Sequence, residues 1–176
     1  LSRPLSGMGA ASPAPRTEEQ APPLRIAIDG LHLFGEYSGV HYALAGLVEA
    51  LRGCCPQDEL VLFVPRDFDG PPKIPDPGSK EAGPGLRLHR AWFPGRWRAV
   101  RTLWRNFRLQ AHAYRQHCEI LHGPVYALPA LLSLPSVVTI HDCIALTHPH
   151  FCTPGSAKYQ QRALPRSAKS ARRILT

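Results

Sequence analysis

Two polar side chains that could do chemistry end an apolar run in the last third of the chain. His141 and Asp142 close the run Ser-Val-Val-Thr-Ile-His-Asp at 136–142. A strand of this kind is buried along its length, so we expect the side chains at its end to project into a cleft. An imidazole beside a carboxylate can position a hydroxyl group or act as a general base. A hydrogen-bonded structural histidine at a strand end is the competing interpretation.

A second candidate site lies where a helix is expected to begin. Ser38 is a suitable N-cap, and Gly39 and Val40 open a run with helical spacing of apolar residues. The free N–H groups and positive dipole end of a helix N-terminus can receive a phosphate, and glycine lets the backbone approach closely. A plain tight turn explains the same residues, so both interpretations stay open.

The elements that must position these residues follow an alternating pattern. From residue 24 onward, short apolar runs alternate with segments of helical length, which is typical of a parallel sheet covered by helices. Strands are predicted at residues 24–29, 59–64, 86–92, 119–122, 136–142 and 173–176. Helices are predicted at residues 39–52, about 94–118 and 156–171. The sequence therefore predicts an α/β fold with a Rossmann-like parallel sheet flanked by helices. Ligands of such sheets lie at the carboxyl ends of the strands.

The longest predicted helix has two chemically different faces. Its apolar stripe consists of Leu103, Phe107, Ala111, Tyr114 and Cys118, and the opposite face carries Arg101, Arg105, Arg108 and Arg115. We expect the apolar stripe to pack on the sheet and the arginines to face solvent. No acidic residue lies between Glu81 and Glu119 or after Asp142. Such a basic surface suits an anionic partner, and a merely solvated helix face is the alternative.

Length and composition indicate one domain behind a leader. At 176 residues the chain is long enough for one hydrophobic core. Residues 1–23 are rich in Ala, Pro and Ser and predict a disordered leader, residues 24–176 form the folded domain, and residues 67–85 predict a long surface loop. The five cysteines have no disulfide-like spacing, which indicates reduced thiols in the cytosol. No apolar run reaches the roughly 20 residues that a bilayer span needs.

Three segments, taken in order along the chain, share the pattern of one family. They are Arg-Ile-Ala-Ile-Asp-Gly at 25–30 with Ser-Gly-Val-His-Tyr at 38–42, Leu-His-Gly-Pro-Val-Tyr-Ala-Leu-Pro at 121–129, and Val-Val-Thr-Ile-His-Asp-Cys-Ile-Ala-Leu at 137–146. Together they resemble the family-4 glycosyltransferases of the GT-B fold, particularly the bacterial mannosyl- and rhamnosyltransferase-like members that build cell-surface polysaccharide. The resemblance covers nearly all of residues 24–176. Family members often have a second glycine where His41 stands, so this turn departs from the pattern.

The resemblance implies a retaining transferase that moves a hexose or deoxyhexose from a nucleotide-diphosphate sugar to a glycan or lipid-linked acceptor. It implies that the chain is the amino-terminal, acceptor-side half of a two-domain enzyme, truncated before the donor-binding domain. His141 would contact the transferred sugar or help to place the acceptor hydroxyl, and Asp142 would fix its orientation or the local loop. The other implied contacts are Ser38, Gly39 and Val40 with the donor phosphates, and Tyr42, His122 and Tyr126 with the acceptor.

The resemblance, the cysteines and the basic charge together give the expected partners and location of the protein. The nucleotide-sugar donor would be held mostly by the missing domain, and the transfer chemistry needs no cofactor and no bound metal. We expect a cytoplasmic protein that can contact the anionic inner face of the cell membrane peripherally, and we expect no nucleic acid. The departing diphosphate is usually described as taking the acceptor proton. Positioning and charge stabilisation are therefore favoured over base catalysis for His141.

Other classes of protein fit the sequence less well. No Gly-x-Gly-x-x-Gly follows the first strand, which argues against a nicotinamide-dependent oxidoreductase. Only Asp29 and Asp142 lie at strand ends, which leaves few carboxylate pairs for a glycosidase. Residues 141–152 contain six potential metal ligands but no zinc-finger spacing. A catalytically silent fragment or a basic binding module stays the alternative, because nothing in the chain supplies the residues of a donor-binding domain.

Overall fold

The computed structural model describes residues 22–34, 38–69 and 85–176. Its strands are β1 Arg25–Asp29, β2 Glu59–Val64, β3 Leu86–Arg90, β4 Ile120–Gly123, β5 Ser136–Thr139 and β6 Arg173–Leu175. Its helices are α1 Gly39–Cys54, α2 Arg98–Phe107, α3 Leu109–Arg115, α4 Ile144–Thr147 and α5 Pro154–Ser170, with a 3₁₀ turn at Pro149–Phe151. The strands form one parallel sheet in the order β3-β2-β1-β4-β5-β6. The predicted α/β, Rossmann-like class is therefore confirmed.

The centre of the sheet consists of strands that are covered on both faces. β1 pairs with β2 on one side and with β4 on the other. Every residue of β2 after Glu59 is buried, in keeping with its sequence Glu-Leu-Val-Leu-Phe-Val. Parallel strands that are covered from both sides need such a continuous apolar run, because their side chains alternate between two buried faces.

Successive residues of β1 show which helices cover each face. Ile28 packs in a cluster with Leu44 and Val48 of α1. Ala27 packs in a second cluster with Trp104 of α2 and with Leu109 of α3. Since neighbouring residues of a strand point to opposite faces, α1 covers one face and α2 and α3 cover the other.

The predicted orientation of the long helix was wrong. Arg101 and Arg105, expected in solvent, are 8% and 1% exposed, whereas Leu103 and Phe107, expected on the sheet, are 58% and 68% exposed. Tyr114 and Ala111 of the predicted stripe are also exposed, while Cys118 is buried as expected. Of the predicted outer arginines, Arg108 and Arg115 do face solvent. The helix is also divided, because α2 ends at Phe107 and α3 begins at Leu109.

Two interactions explain this inversion. The carboxylate of Asp29 is buried at the end of β1, and a buried carboxylate is stable only with a paired cation. Arg105 supplies that cation, which turns its side of α2 toward the sheet. The ring centroid of Trp104, the neighbour of Arg105, lies 6.1 Å from the ring centroid of Phe63. The indole of Trp104 buries more apolar surface than the side chain of Leu103 could.

Several element boundaries differ from the prediction. α1 begins at Gly39 after Ser38, as predicted, and α5 begins two residues before the predicted start. β5 ends at Thr139, so His141 lies in the loop beyond the strand. Neither α4 nor the 3₁₀ turn was predicted. Residues 1–21 of the predicted leader and 70–84 of the predicted loop lie outside the described residues. In the described ranges, no helix has the length and apolar character needed to cross a membrane.

Candidate functional site

The order of the strands creates a crevice at the carboxyl ends of β1 and β4. β1 and β4 are neighbours, but the chain continues from β1 to β2 on one side and from β4 to β5 on the other. The loops that follow the two strands therefore diverge, and in open parallel sheets ligands bind at this switch point. The predicted site residues after β1, β4 and β5 all lie at this edge.

A pocket of about 260 Å³, which we call the histidine pocket, lies between α1 and the ends of β5 and β6. Its walls are formed by Ala43, Leu44, Leu47, Pro124, Thr139, His141, Leu175 and Thr176. Most of these groups are apolar, and His141 carries the titratable side chain among them. The side chain of His141 is exposed, as the prediction of a cleft position requires.

Hydrogen bonds fix the loop that carries His141 and Asp142. Nε2 of His141 lies 3.0 Å from the carbonyl oxygen of Pro124. A carbonyl can only accept, so in the neutral ring the proton is on Nε2 and Nδ1 is left as an acceptor. The backbone N–H of Ile144 donates to Oδ1 of Asp142 at 3.0 Å, which orders the start of α4. Asp142 thus orders this loop.

His122 lies beneath the pocket and not on its wall. Its side chain is buried, and Nε2 is 2.9 Å from Oγ1 of Thr139, a residue that does line the histidine pocket. Burial lowers the pKa of His122 to about 4, with a further lowering from His141 and an opposing effect of Asp29. His122 is therefore neutral near pH 7, and it reaches the pocket through Thr139.

The start of α1 is open but separate from the histidine pocket. Ser38 and Gly39 are exposed, and a Cβ added to Gly39 would meet nothing within 4 Å. Nδ1 of His41 accepts a hydrogen bond from the backbone N–H of Ser38 at 3.1 Å. His41 thus serves as a cap for the helix. Val40 and the exposed Tyr42 complete this first turn, and none of these residues is among the described residues that line the pocket.

Tyr126, predicted to lie beside His122, belongs to a different pocket. This pocket, about 210 Å³ in volume, lies on the face of the sheet that α2 covers, and we call it the arginine pocket. Its walls are formed by His32, Arg98, Arg101, Thr102, Arg105, Tyr126, Ser156 and Tyr159. The structure therefore brings His141 and His122 together through Thr139, but it does not bring Tyr42 or Tyr126 into the same pocket.

Sequence reasoning missed the arginines as site residues. Arg98, Arg101 and Arg105 are spaced by three and four positions, which places them on one face of α2. That spacing, together with an aspartate at the end of the first strand, is a signal that could have revealed an inward-facing cluster. It was overlooked because arginines opposite an apolar stripe usually face solvent.

The residues in the described ranges contain no group of three or more His, Cys, Asp or Glu side chains that could hold a metal ion. That the transfer needs no metal stays a prediction. Compared with protein-family models, with curated proteins and with solved structures, the chain gives no match. The geometry of the sheet edge and the sequence segments that form it are therefore the observations from which a function can be proposed.

Proposed function

We propose that this domain is the acceptor-side half of a retaining glycosyltransferase, which moves a hexose from a nucleotide-diphosphate sugar to a glycan or lipid-linked acceptor. The observation that carries the proposal is the position of His141. It is exposed at the carboxyl edge of a parallel sheet, and the carbonyl of Pro124 fixes its ring. The three sequence segments that resemble the family-4 enzymes contribute to this same edge.

The arrangement of His141 suits a positioning role. With its proton on Nε2, the ring offers Nδ1 as an acceptor for a hydroxyl of the transferred sugar. In the proposed reaction, the acceptor oxygen forms a bond to the anomeric carbon while the bond from that carbon to the diphosphate breaks. The departing diphosphate takes the acceptor proton. The contribution of His141 is then to hold the sugar in a reactive orientation, which can lower a barrier by several kcal/mol.

The start of α1 suits the donor phosphates. α1 has 16 residues, and its N-terminus presents free N–H groups and the positive end of the helix dipole. Gly39 leaves open space beside this backbone. Because the histidine pocket also contains α1 residues, a diphosphate at Ser38, Gly39 and Val40 and a sugar near His141 would lie along the same helix.

The outer surface of α2 supports a lipid-linked acceptor. Leu103 and Phe107 are four residues apart and largely exposed, and the exposed Arg96 and Arg108 flank them. An apolar stripe between basic side chains is the pattern of a helix that lies on an anionic bilayer surface. In the proposed function, this surface would bring the edge of the sheet close to an acceptor in the membrane.

The test is sugar transfer by the natural protein that carries this domain, with a panel of radiolabelled nucleotide-diphosphate sugars and cell membranes as the source of acceptor. We expect incorporation from one donor or a few related donors, and NMR of the product should show that the anomeric configuration is retained. Incorporation from no donor, or inversion of configuration, would contradict the proposal. A chain that folds and binds an acceptor but transfers nothing would instead favour the non-catalytic binding module.

A further inference from the structure

The arginine pocket has an excess of positive charge. α2 contributes Arg98, Arg101 and Arg105 to its walls, and none of the described residues that line it is acidic. The buried Asp29 pairs with Arg105 from behind the pocket. Burial opposes the charge of Arg105, but the neighbouring Asp29 carboxylate raises its pKa overall, so this side chain stays a cation. One carboxylate thus faces three guanidinium groups.

Arg105 is buried, and part of its guanidinium group makes no hydrogen bond to the described residues. Nε donates to Oδ2 of Asp29, and Nη1 donates to the hydroxyl of Tyr159 at 3.3 Å. Nη2 has no hydrogen-bond partner among the described residues, although the side chain is only 1% exposed. Buried donors are paired in the great majority of cases, and an unpaired donor next to a charge is costly. A pocket ligand that accepts from Nη2 would remove this cost.

Two further buried nitrogen atoms, on residues of the same pocket, have no hydrogen-bond partner in the described part of the chain. Nη1 of Arg101 donates to the carbonyl of Gly95, but Nε of Arg101 has no partner within the described ranges. Nε2 of His32, on the loop after β1, is also buried without one. Both residues line the arginine pocket together with Arg105. Two unpartnered arginine donors and one unpartnered histidine nitrogen, from α2 and from the loop after β1, therefore belong to residues that line one space.

The first turn of α5 also contributes to the wall of the arginine pocket. α5 has 17 residues and begins at Pro154, and its first turn places Ser156 on the pocket wall. The side chain of Thr153 does not cap this helix within the described part of the chain. The first turn of α5 therefore borders the same space as the arginines, and the positive dipole end of a helix favours an anion nearby. A volume of about 210 Å³ is below the size of a drug-like ligand site and suits a small anion.

We propose that the arginine pocket binds a phosphate group. Arginines recognise phosphate and carboxylate alike, but the polar groups here come from α2, from the loop after β1 and from α5. A tetrahedral oxyanion with oxygens in several directions uses such a set fully, whereas a planar carboxylate pairs with one guanidinium. The phosphate can be part of a free phosphorylated metabolite or of a lipid headgroup, and the chemistry of the pocket is the same for both. This assignment stands independently of the proposed function.

The experiment is a titration of this chain with inorganic phosphate, followed by side-chain NMR of the arginine Nε–H groups. We expect saturable binding and a shift of the Arg101 Nε–H signal, because that proton gains an acceptor. Acetate at the same ionic strength should bind at least several-fold more weakly. A short-chain phosphatidic acid and glucose 1-phosphate, titrated separately, distinguish the lipid source from the soluble one by the tighter binder.

Two variants and a matched control make the test specific. Arg98→Gln removes an exposed pocket arginine with little risk to folding, and Arg101→Lys keeps the charge but loses the Nε–H donor. Each should weaken phosphate binding roughly tenfold or more, since hydrogen bonds to charged groups contribute about that factor. Arg96→Gln makes the same charge change at an exposed position outside the pocket wall and should leave binding unchanged.

The possible results separate clearly. Saturable phosphate binding that Arg98→Gln and Arg101→Lys weaken and Arg96→Gln spares supports the assignment. Absence of saturation, or an equal loss in all three variants, overturns it, because it would show only a general attraction of anions to a basic protein. An unshifted Arg101 Nε–H signal at saturation also overturns it, since the bound anion would then lie elsewhere. None of these outcomes depends on sugar transfer.

Discussion

Asp29, the last residue of β1, accepts a hydrogen bond from Nε of Arg105 in the last turn of α2, and both side chains are buried. The two residues are 76 positions apart in sequence. Their pairing attaches α2 to the carboxyl edge of the sheet and turns its arginines inward. The orientation of α2, and with it the arginine pocket, depends on this contact.

Removing one partner of this pair should destabilise the fold strongly. Asp29→Asn leaves the Arg105 cation buried without its counter-charge, and breaking one side of a buried pair costs about 3–5 kcal/mol. Urea denaturation followed by circular dichroism measures the free energy of unfolding. Asp69→Asn, at an exposed position, serves as the control and should change that energy by less than about 0.5 kcal/mol. Equal effects of the two changes would show that Asp29 is not paired as described.

The inverted orientation of α2 predicts a large loss of stability at one residue and a small loss at its neighbour. Trp104→Ala removes a buried ring from the core and should cost about 3–5 kcal/mol of unfolding free energy. Leu103→Asp changes a largely exposed side chain and should cost less than about 1 kcal/mol. If the apolar stripe faced the sheet instead, Leu103→Asp would be the more damaging change. The urea concentrations at the unfolding midpoints of the two variants decide between these orientations.

The buried His122 predicts a loss of stability in mild acid. Its pKa is about 4 in the folded protein, below the ordinary value of 6.5, because burial disfavours the charged ring. The unfolded chain therefore binds more protons between pH 6.5 and pH 4, and stability falls as the pH is lowered through this window. At pH values above this window, the neutral His122 contributes about 3 kcal/mol to the pH-dependent part of the free energy of unfolding. His122→Gln should flatten the pH dependence of the unfolding free energy by about this amount.

The matched control for His122 is the exposed His150. His150→Gln should leave the pH profile as it is in the unmodified protein. The other histidines with lowered pKa values, such as the half-buried His32, act in the same direction and stay present in both variants. A profile that is identical for His122→Gln and for the unmodified protein would refute the buried neutral state of His122.

Two glycine-to-alanine substitutions should change the stability of the protein in opposite directions. A Cβ at Gly123 would lie 2.8 Å from Cδ2 of Leu128 and 2.9 Å from the carbonyl oxygen of Ala127. Gly123→Ala should therefore destabilise the loop after β4 by about 1–3 kcal/mol. Gly46, within α1, has nothing within 4 Å of such a Cβ, and Gly46→Ala should stabilise the protein by up to about 1 kcal/mol. Thermal unfolding of the two variants shows both effects.

Local patterns predicted much of this fold. The apolar runs at the positions of β1 and β2 and the start of α1 at Gly39 follow from side-chain periodicity and capping, which depend on neighbouring residues. The inward turn of Arg105 could not be found in this way. It depends on a carboxylate 76 residues away, and a tertiary ion pair overrides the helical pattern.

The same distinction applies to the candidate site. The exposed position of His141 follows from its place at the end of an apolar run. The separation of Tyr126 from the histidine pocket does not follow from the sequence. Tyr126 lies only three residues beyond Gly123, the last residue of the strand that contains His122. The chain turns sharply after β4, and this turn carries Tyr126 to the face that α2 covers. Sequence spacing alone contains no information on that turn.

The most direct test of the account is the turnover of sugar transfer by the natural protein, compared with that of its His141→Ala variant. We predict a loss of roughly 100-fold or more in kcat with an unchanged melting temperature, because His141 would position the transferred sugar while lying exposed outside the core. His150→Ala, in the same segment and also exposed, should keep full activity. An unchanged rate in the His141→Ala variant would contradict the account.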